Sequence, residues 1–112
     1  MRRLWGFGLK IGVSTHTVDE ARAAMSGGAD FISFGPVFDT ESKRLYGTPV
    51  GVNRLREVVM TVRLPVFAIG GICLRTASEL KGLPLAGIAV ISAVMNAADP
   101  AAAVAELRGV FP

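Results

Sequence analysis

Apolar residues along the chain fall into two alternating rhythms. Short continuous apolar runs at 10–13, 30–34, 65–69 and 87–91 have the length of β-strands. The second of these is apolar enough to be buried on both faces. Between the runs, apolar residues recur at helical spacing. Ala21, Ala24 and Met25 form one such stripe, and Leu55, Val58, Val59 and Val62 form another. Local signals set the helix ends. Thr17 is a natural N-cap, Glu20 three residues on completes a capping box, and Gly27-Gly28 stop the helix. The next helices are expected over 52–62 and 74–81, the latter ended by Gly82. Asp99 caps a last helix with Pro100 at its first position, running to about Arg108.

The order is βαβαβαβα. Strict alternation with short buried strands predicts a parallel sheet with helical crossovers. A flavodoxin-like sheet shares that order. The glycine-rich turn after the third strand and the small residues after the fourth favour the other solution, an α/β fold made of four βα units of a TIM (β/α)8 barrel. Residues 1–112 would then form a single domain, about half of such a barrel.

Composition narrows the function classes. Half-apolar content (51%) with 19% charged residues predicts a packed core and excludes disorder. The net charge of +3 is scattered through helical stretches, with no basic run interleaved with aromatics, so nucleic acid is not an expected partner. No apolar run approaches the ~18 residues of a membrane helix, and Lys10 interrupts the apolar stretch near the N-terminus that would imitate a secretion signal. The single cysteine, Cys73, excludes an internal disulfide and fits a reducing, cytoplasmic setting.

In parallel α/β folds the carboxyl ends of the strands carry the chemistry. The first strand leads to Ser14, a donor for phosphate or carboxylate, and to His16, the only histidine and a candidate acid–base. The second leads to a long loop, 35–49, in which Thr40 and Ser42 stand beside Lys43. Hydroxyls beside a cation suit a pyrophosphate. The third ends at Gly70-Gly71 and the fourth at Ile91-Ser92. Both can present backbone N–H groups to a phosphate.

These segments carry a family resemblance. Ile11 to Thr17, Phe34-Gly35-Pro36-Val37-Phe38, Thr40-Glu41-Ser42-Lys43, Ala68-Ile69-Gly70-Gly71-Ile72 and Val90-Ile91-Ser92-Ala93 together resemble the C-terminal half of thiamine phosphate synthase. A sister group, the TenI-type thiazole tautomerases, shares much of the pattern. Asp39 stands where the family often has proline.

The resemblance implies a transferase of thiamine biosynthesis. It joins hydroxymethylpyrimidine diphosphate to thiazole phosphate and releases pyrophosphate. Pyrophosphate leaves first, and the thiazole nitrogen captures the pyrimidine cation. Carried over, Gly70, Gly71, Ile91 and Ser92 would hold the thiazole phosphate. Ser14, Thr40, Ser42 and Lys43 would contact the pyrophosphate, with Lys43, Ser14 and His16 as the catalytic set. In a tautomerase, His16 would instead move a proton on the thiazole. The family uses Mg2+, but its acidic ligands belong to the first four strands. Asp19, Glu20, Asp30 and Asp39 are not their counterparts, so no metal ligand is expected here. As a truncated chain the protein would be inactive alone or act as a non-catalytic phosphate-binding half-barrel. A homodimer or a complementing N-terminal half would supply the rest.

Overall fold

The computed structural model describes residues 8–38 and 48–110. Four strands, β1 (Gly12–Thr15), β2 (Phe31–Phe34), β3 (Val66–Ile69) and β4 (Gly87–Ala89), form one sheet in the order β1-β2-β3-β4. Every neighbouring pair is parallel. The helices are α1 (Val18–Ser26), α2 (Gly51–Thr61), α3 (Leu74–Ala77), α4 (Ser92–Met95) and α5 (Pro100–Val110), with a 3-10 turn at Ser78–Leu80.

The core lies on one face of the sheet. Ile32 and Phe34 of β2 and Val66 and Ala68 of β3 are buried with Ala21, Leu55, Val58, Ala77, Leu80 and Leu107 from the helical segments. Burying a side chain such as Phe34 or Leu55 contributes roughly 1.5–3 kcal/mol. Right-handed crossovers between strands laid down in sequential order bring every helix to the same side. A doubly wound sheet would reverse its strand order and carry helices on both faces. The flavodoxin-like alternative is therefore excluded.

This arrangement corrects the expectation that β2 is buried on both faces. Phe31 and Ser33 point away from the helices and are only half-buried. In register with them stand Gly12, Ser14, Phe67 and Gly87, on the same open face. Phe31 lies over Gly12, where a Cβ would sit 2.2 Å from the ring. Phe67 packs edge-to-face on Phe31 at 5.6 Å between centroids.

Element ends moved for identifiable reasons. The first strand was expected over 10–13 but runs Gly12–Thr15. The Asp30 carboxylate accepts from the Ile11 N–H at 2.7 Å, and the Ile11 carbonyl accepts from the Asp30 N–H. That clasp sits just before the first sheet pair, Gly12 opposite Phe31. The fourth strand stops at Ala89, not at Ile91, because its partner leaves the sheet after Ile69. The helix expected over 74–81 is α-helical only to Ala77 and tightens into the 3-10 turn. The four-residue α4 has no counterpart in the sequence expectations.

Candidate functional site

The carboxyl ends of β3 and β4 lie side by side, since Ile69 pairs with Ala89. Beyond them the chain turns through Gly70 and Gly71 on one side and through Val90 and Ile91 into Ser92 on the other. Gly70 and Gly71 hold φ of +102° and +65°, a region that side chains disfavour. Hydrogen bonding aims their peptides. The Gly70 carbonyl accepts from the Phe38 N–H at 3.0 Å. Carbonyl and N–H of one trans peptide point in opposite directions, so the Gly71 N–H faces away from Phe38. On the β4 side, Ser92 opens α4, where the Val94 and Met95 N–H groups donate to the Ile91 carbonyl at 3.2 and 2.7 Å and the Ser92 and Ala93 N–H groups precede the first helical bond. The Ser92 side chain is exposed beside them.

Thr76 ties the glycine turn together. Its hydroxyl donates to the Gly71 carbonyl at 3.0 Å and accepts from the Cys73 N–H at 2.9 Å. Cys73 is the N-cap of α3, its sulfur accepting from the Thr76 N–H. That hydrogen bond is the main cause holding the Cys73 thiol below its ordinary range.

Ser14 is exposed on the open face of β1, directly opposite Ser33. The Ser33 hydroxyl donates to the Ser14 oxygen at 3.4 Å. The two form a small hydroxyl pair that sequence reasoning missed. Strand alternation carried the signal, since Ser33 is the one polar residue in Phe31–Phe34.

His16 is placed differently. Its Nδ1 lies 3.3 Å from the Glu20 carboxylate, and both side chains are about half exposed. It lines a groove of about 530 Å³ between α1 and α2, with Asp19, Arg22, Phe34, Arg54 and Glu57 also on the wall. Phe34 belongs to the helix-facing core, so this groove is on the opposite side of the sheet from Ser14.

The helix start also departs from a full capping box. Thr17 Oγ1 accepts from the Glu20 N–H at 3.0 Å, as expected. The Glu20 carboxylate, however, accepts from the His16 N–H at 2.6 Å, one residue earlier than a capping box requires. This backbone bond is the first cause lowering the Glu20 pKa, with the His16 ring adding to it. A carboxyl whose folded value is lowered stabilises the fold above its unfolded value and loses that contribution as pH falls through the folded one. The first turn of α1 should therefore lose hydrogen-exchange protection as pH falls below the ordinary glutamate range. Glu20→Gln should abolish that acid step. An unchanged step in this variant would assign it to another group.

Thr40, Ser42, Lys43 and Asp39 lie outside the described residues. The ends of their loop are nevertheless fixed. Val50 N–H donates to the Pro36 carbonyl at 2.7 Å and Gly51 N–H to that of Val37 at 3.0 Å. Residues 36–37 and 50–51 thus meet at the same sheet end as the β3 turn, to which Val37 and Phe38 also donate. Among the described residues, no three His, Cys, Asp or Glu side chains come together as a metal would require. No described helix is long and apolar enough to cross a membrane.

These features define a parallel α/β protein in which the glycine turn and the start of α4 lie at the carboxyl ends of neighbouring strands. The family model for thiamine monophosphate synthase matches residues 1–94. The chain belongs to that family. It is 44% identical over 111 residues to the thiamine-phosphate synthase of Roseiflexus sp., covering 99% of this chain and 47% of that protein. It is 47% identical over 110 residues to the thiamine-phosphate synthase of Methanocella arvoryzae, covering 98% and 52% respectively. Among solved structures, thiamine phosphate pyrophosphorylase from Pyrococcus furiosus superposes with a TM-score of 0.86 at 39% identity, over 97% of this chain and 51% of that one. The 3-hexulose-6-phosphate synthase of Salmonella typhimurium shares the fold, with a TM-score of 0.72 at 22% identity over 93% of this chain and 50% of that one. The chain spans about half the length of the curated relatives it matches.

Proposed function

We propose that the chain is the C-terminal half of a (β/α)8 barrel and provides the phosphate side of a thiamine-phosphate synthase site. The observation that carries this reading is the superposition on half of the Pyrococcus furiosus enzyme, together with the one-sided helix layer. A barrel buries its helix face outward and fills its interior from the other face. The half-buried Phe31, Ser33 and Phe67 would be that interior, covered by a complementing four-unit segment or by a second copy of the chain.

In this reading the N–H groups of Gly70 and Gly71, with Ile91 and Ser92, bind the thiazole phosphate. Ser14, Thr40, Ser42 and Lys43 receive the pyrophosphate of hydroxymethylpyrimidine diphosphate. The bond between the pyrimidine methylene carbon and the pyrophosphate oxygen breaks, and the thiazole nitrogen supplies the electron pair of the new C–N bond. Fixed cations and hydroxyls favour the departing charge. Lys43 is the cation that accompanies the leaving group. The described residues do not assemble a Mg2+ site, so no step here is routed through the metal the family uses.

The His16–Glu20 pair favours a second reading, a thiazole tautomerase, which would require the thiazole to enter the groove between α1 and α2. A carboxylate on Nδ1 orients an imidazole for proton transfer at its other nitrogen. The purified chain decides between the readings. Calorimetry with thiazole phosphate should give binding. Its absence would sink the phosphate-side assignment. Thiamine phosphate formed from the two precursors with magnesium would show a working synthase, whereas proton exchange on the thiazole alone would show the tautomerase. In a form that turns over, Lys43→Ala should slow coupling on the order of 100-fold or more while leaving thiazole phosphate affinity nearly unchanged. Equal loss of both would remove Lys43 from the departure step.

A further inference from the structure

We infer that Thr76 is a positioning residue for the phosphate of the thiazole substrate, acting through the peptide between Gly71 and Ile72. The inference rests on the phosphate-side reading above. The Thr76 hydroxyl has one proton and two carbonyl acceptors, of which that of Gly71 at 3.0 Å is nearer than that of Cys73 at 3.3 Å. The same oxygen accepts from the Cys73 N–H at 2.9 Å, which fixes its orientation from the other side. With the Gly71 carbonyl drawn toward α3, the Ile72 N–H on the same trans peptide must point away from α3.

The preceding peptide is held in the same manner. Its carbonyl, on Gly70, accepts from the Phe38 N–H. Two consecutive N–H groups, on Gly71 and Ile72, are therefore each aimed by an acceptor bond on their own carbonyl. One is set by the loop after β2 and the other by Thr76. Gly71 carries no side chain to resist rotation of this peptide, and its φ of +65° is among several open to glycine. Without Thr76 the Gly71–Ile72 peptide has no such restraint.

The hydroxyl is what matters, and valine matches threonine in shape without it. Thr76→Val should weaken binding of thiazole phosphate by the purified chain roughly tenfold, the loss of about one positioned hydrogen bond. Thr76→Ser, which keeps the hydroxyl, should restore it. Amide shifts of Gly71 and Ile72 on titration with inorganic phosphate give a direct readout. Both should move in the parent chain, and the Ile72 response should be the one diminished in Thr76→Val. Thermal melts of the three proteins show whether each is folded. A folded Thr76→Val that binds with parental affinity and parental Ile72 response would overturn the inference while leaving the phosphate-side reading intact. A parent chain that binds neither ligand would overturn both. A Thr76→Val variant that fails to fold leaves the decision to Thr76→Ser. Its hydroxyl predicts parental affinity and Ile72 response, and a folded serine variant as weak as tenfold below the parent would also overturn the inference.

Discussion

Gly70→Ala is expected to cost about 3–5 kcal/mol of stability. Two terms add. The backbone at Gly70 has φ of +102°, which a side chain resists. The new Cβ would also stand 2.4 Å from Pro36 Cα, and a backbone atom cannot swing aside as a side-chain tip can. Gly28→Ala separates the terms. Gly28 has φ of +91° with nothing within 4 Å of the added carbon. It should lose only about 1 kcal/mol. Urea unfolding of both variants makes the comparison. Equal midpoints would mean that the Pro36 contact relaxes without cost, and the close approach of the two loops would lose its importance. Natural domains are stable by roughly 5–15 kcal/mol, so Gly70→Ala should bring this one near its unfolding threshold.

Ser92→Asp should abolish thiazole phosphate binding, weakening it on the order of 100-fold or more. On the proposed reading a carboxylate would face the phosphate beside the start of α4, and like charges at contact distance cost several kcal/mol. Met60→Asp is the control. Met60 is 76% exposed on α2, so it changes net charge equally and touches no part of the site. Calorimetry should show the first variant without measurable heat and the second with parental affinity. Retained binding in Ser92→Asp would place the phosphate elsewhere. Equal loss in both would mean that long-range charge, not the turn, governs affinity.

Much of this arrangement could be read from the chain because its signals are local. Thr17, Gly28, Gly82 and Asp99 announce helix ends through their own backbone preferences. The four apolar runs announce strands through length alone. What escaped reading depends on contacts between distant segments. Nothing near Ile11 reveals that Asp30 will clasp it and delay the first strand pair. The end of β4 is set by where β3 departs, not by Val90 or Ile91 themselves. The burial of β2 on both faces was inferred from its apolarity, yet that apolarity also serves a face left half open at Phe31. Of the proposed site, the glycine turn and Ser92 were legible as small residues at strand ends. The Thr76 hydroxyl was not, because its importance lies in a carbonyl five residues earlier. His16 was placed by its position after a strand, which says nothing of the side of the sheet its ring would take.

The paired bonds from Val50 and Gly51 to Pro36 and Val37 have a consequence for how this protein could change over generations or on the bench. They hold residues 36–37 against residues 50–51 through backbone atoms alone. Chain length inserted above such a clamp is inexpensive, since each doubling of a flexible loop adds only about 0.6 kcal/mol of closure entropy. An insertion between residues 38 and 48 should leave the β2–α2 frame folded, since the bonds that join its two sides are made by backbone atoms outside the inserted segment.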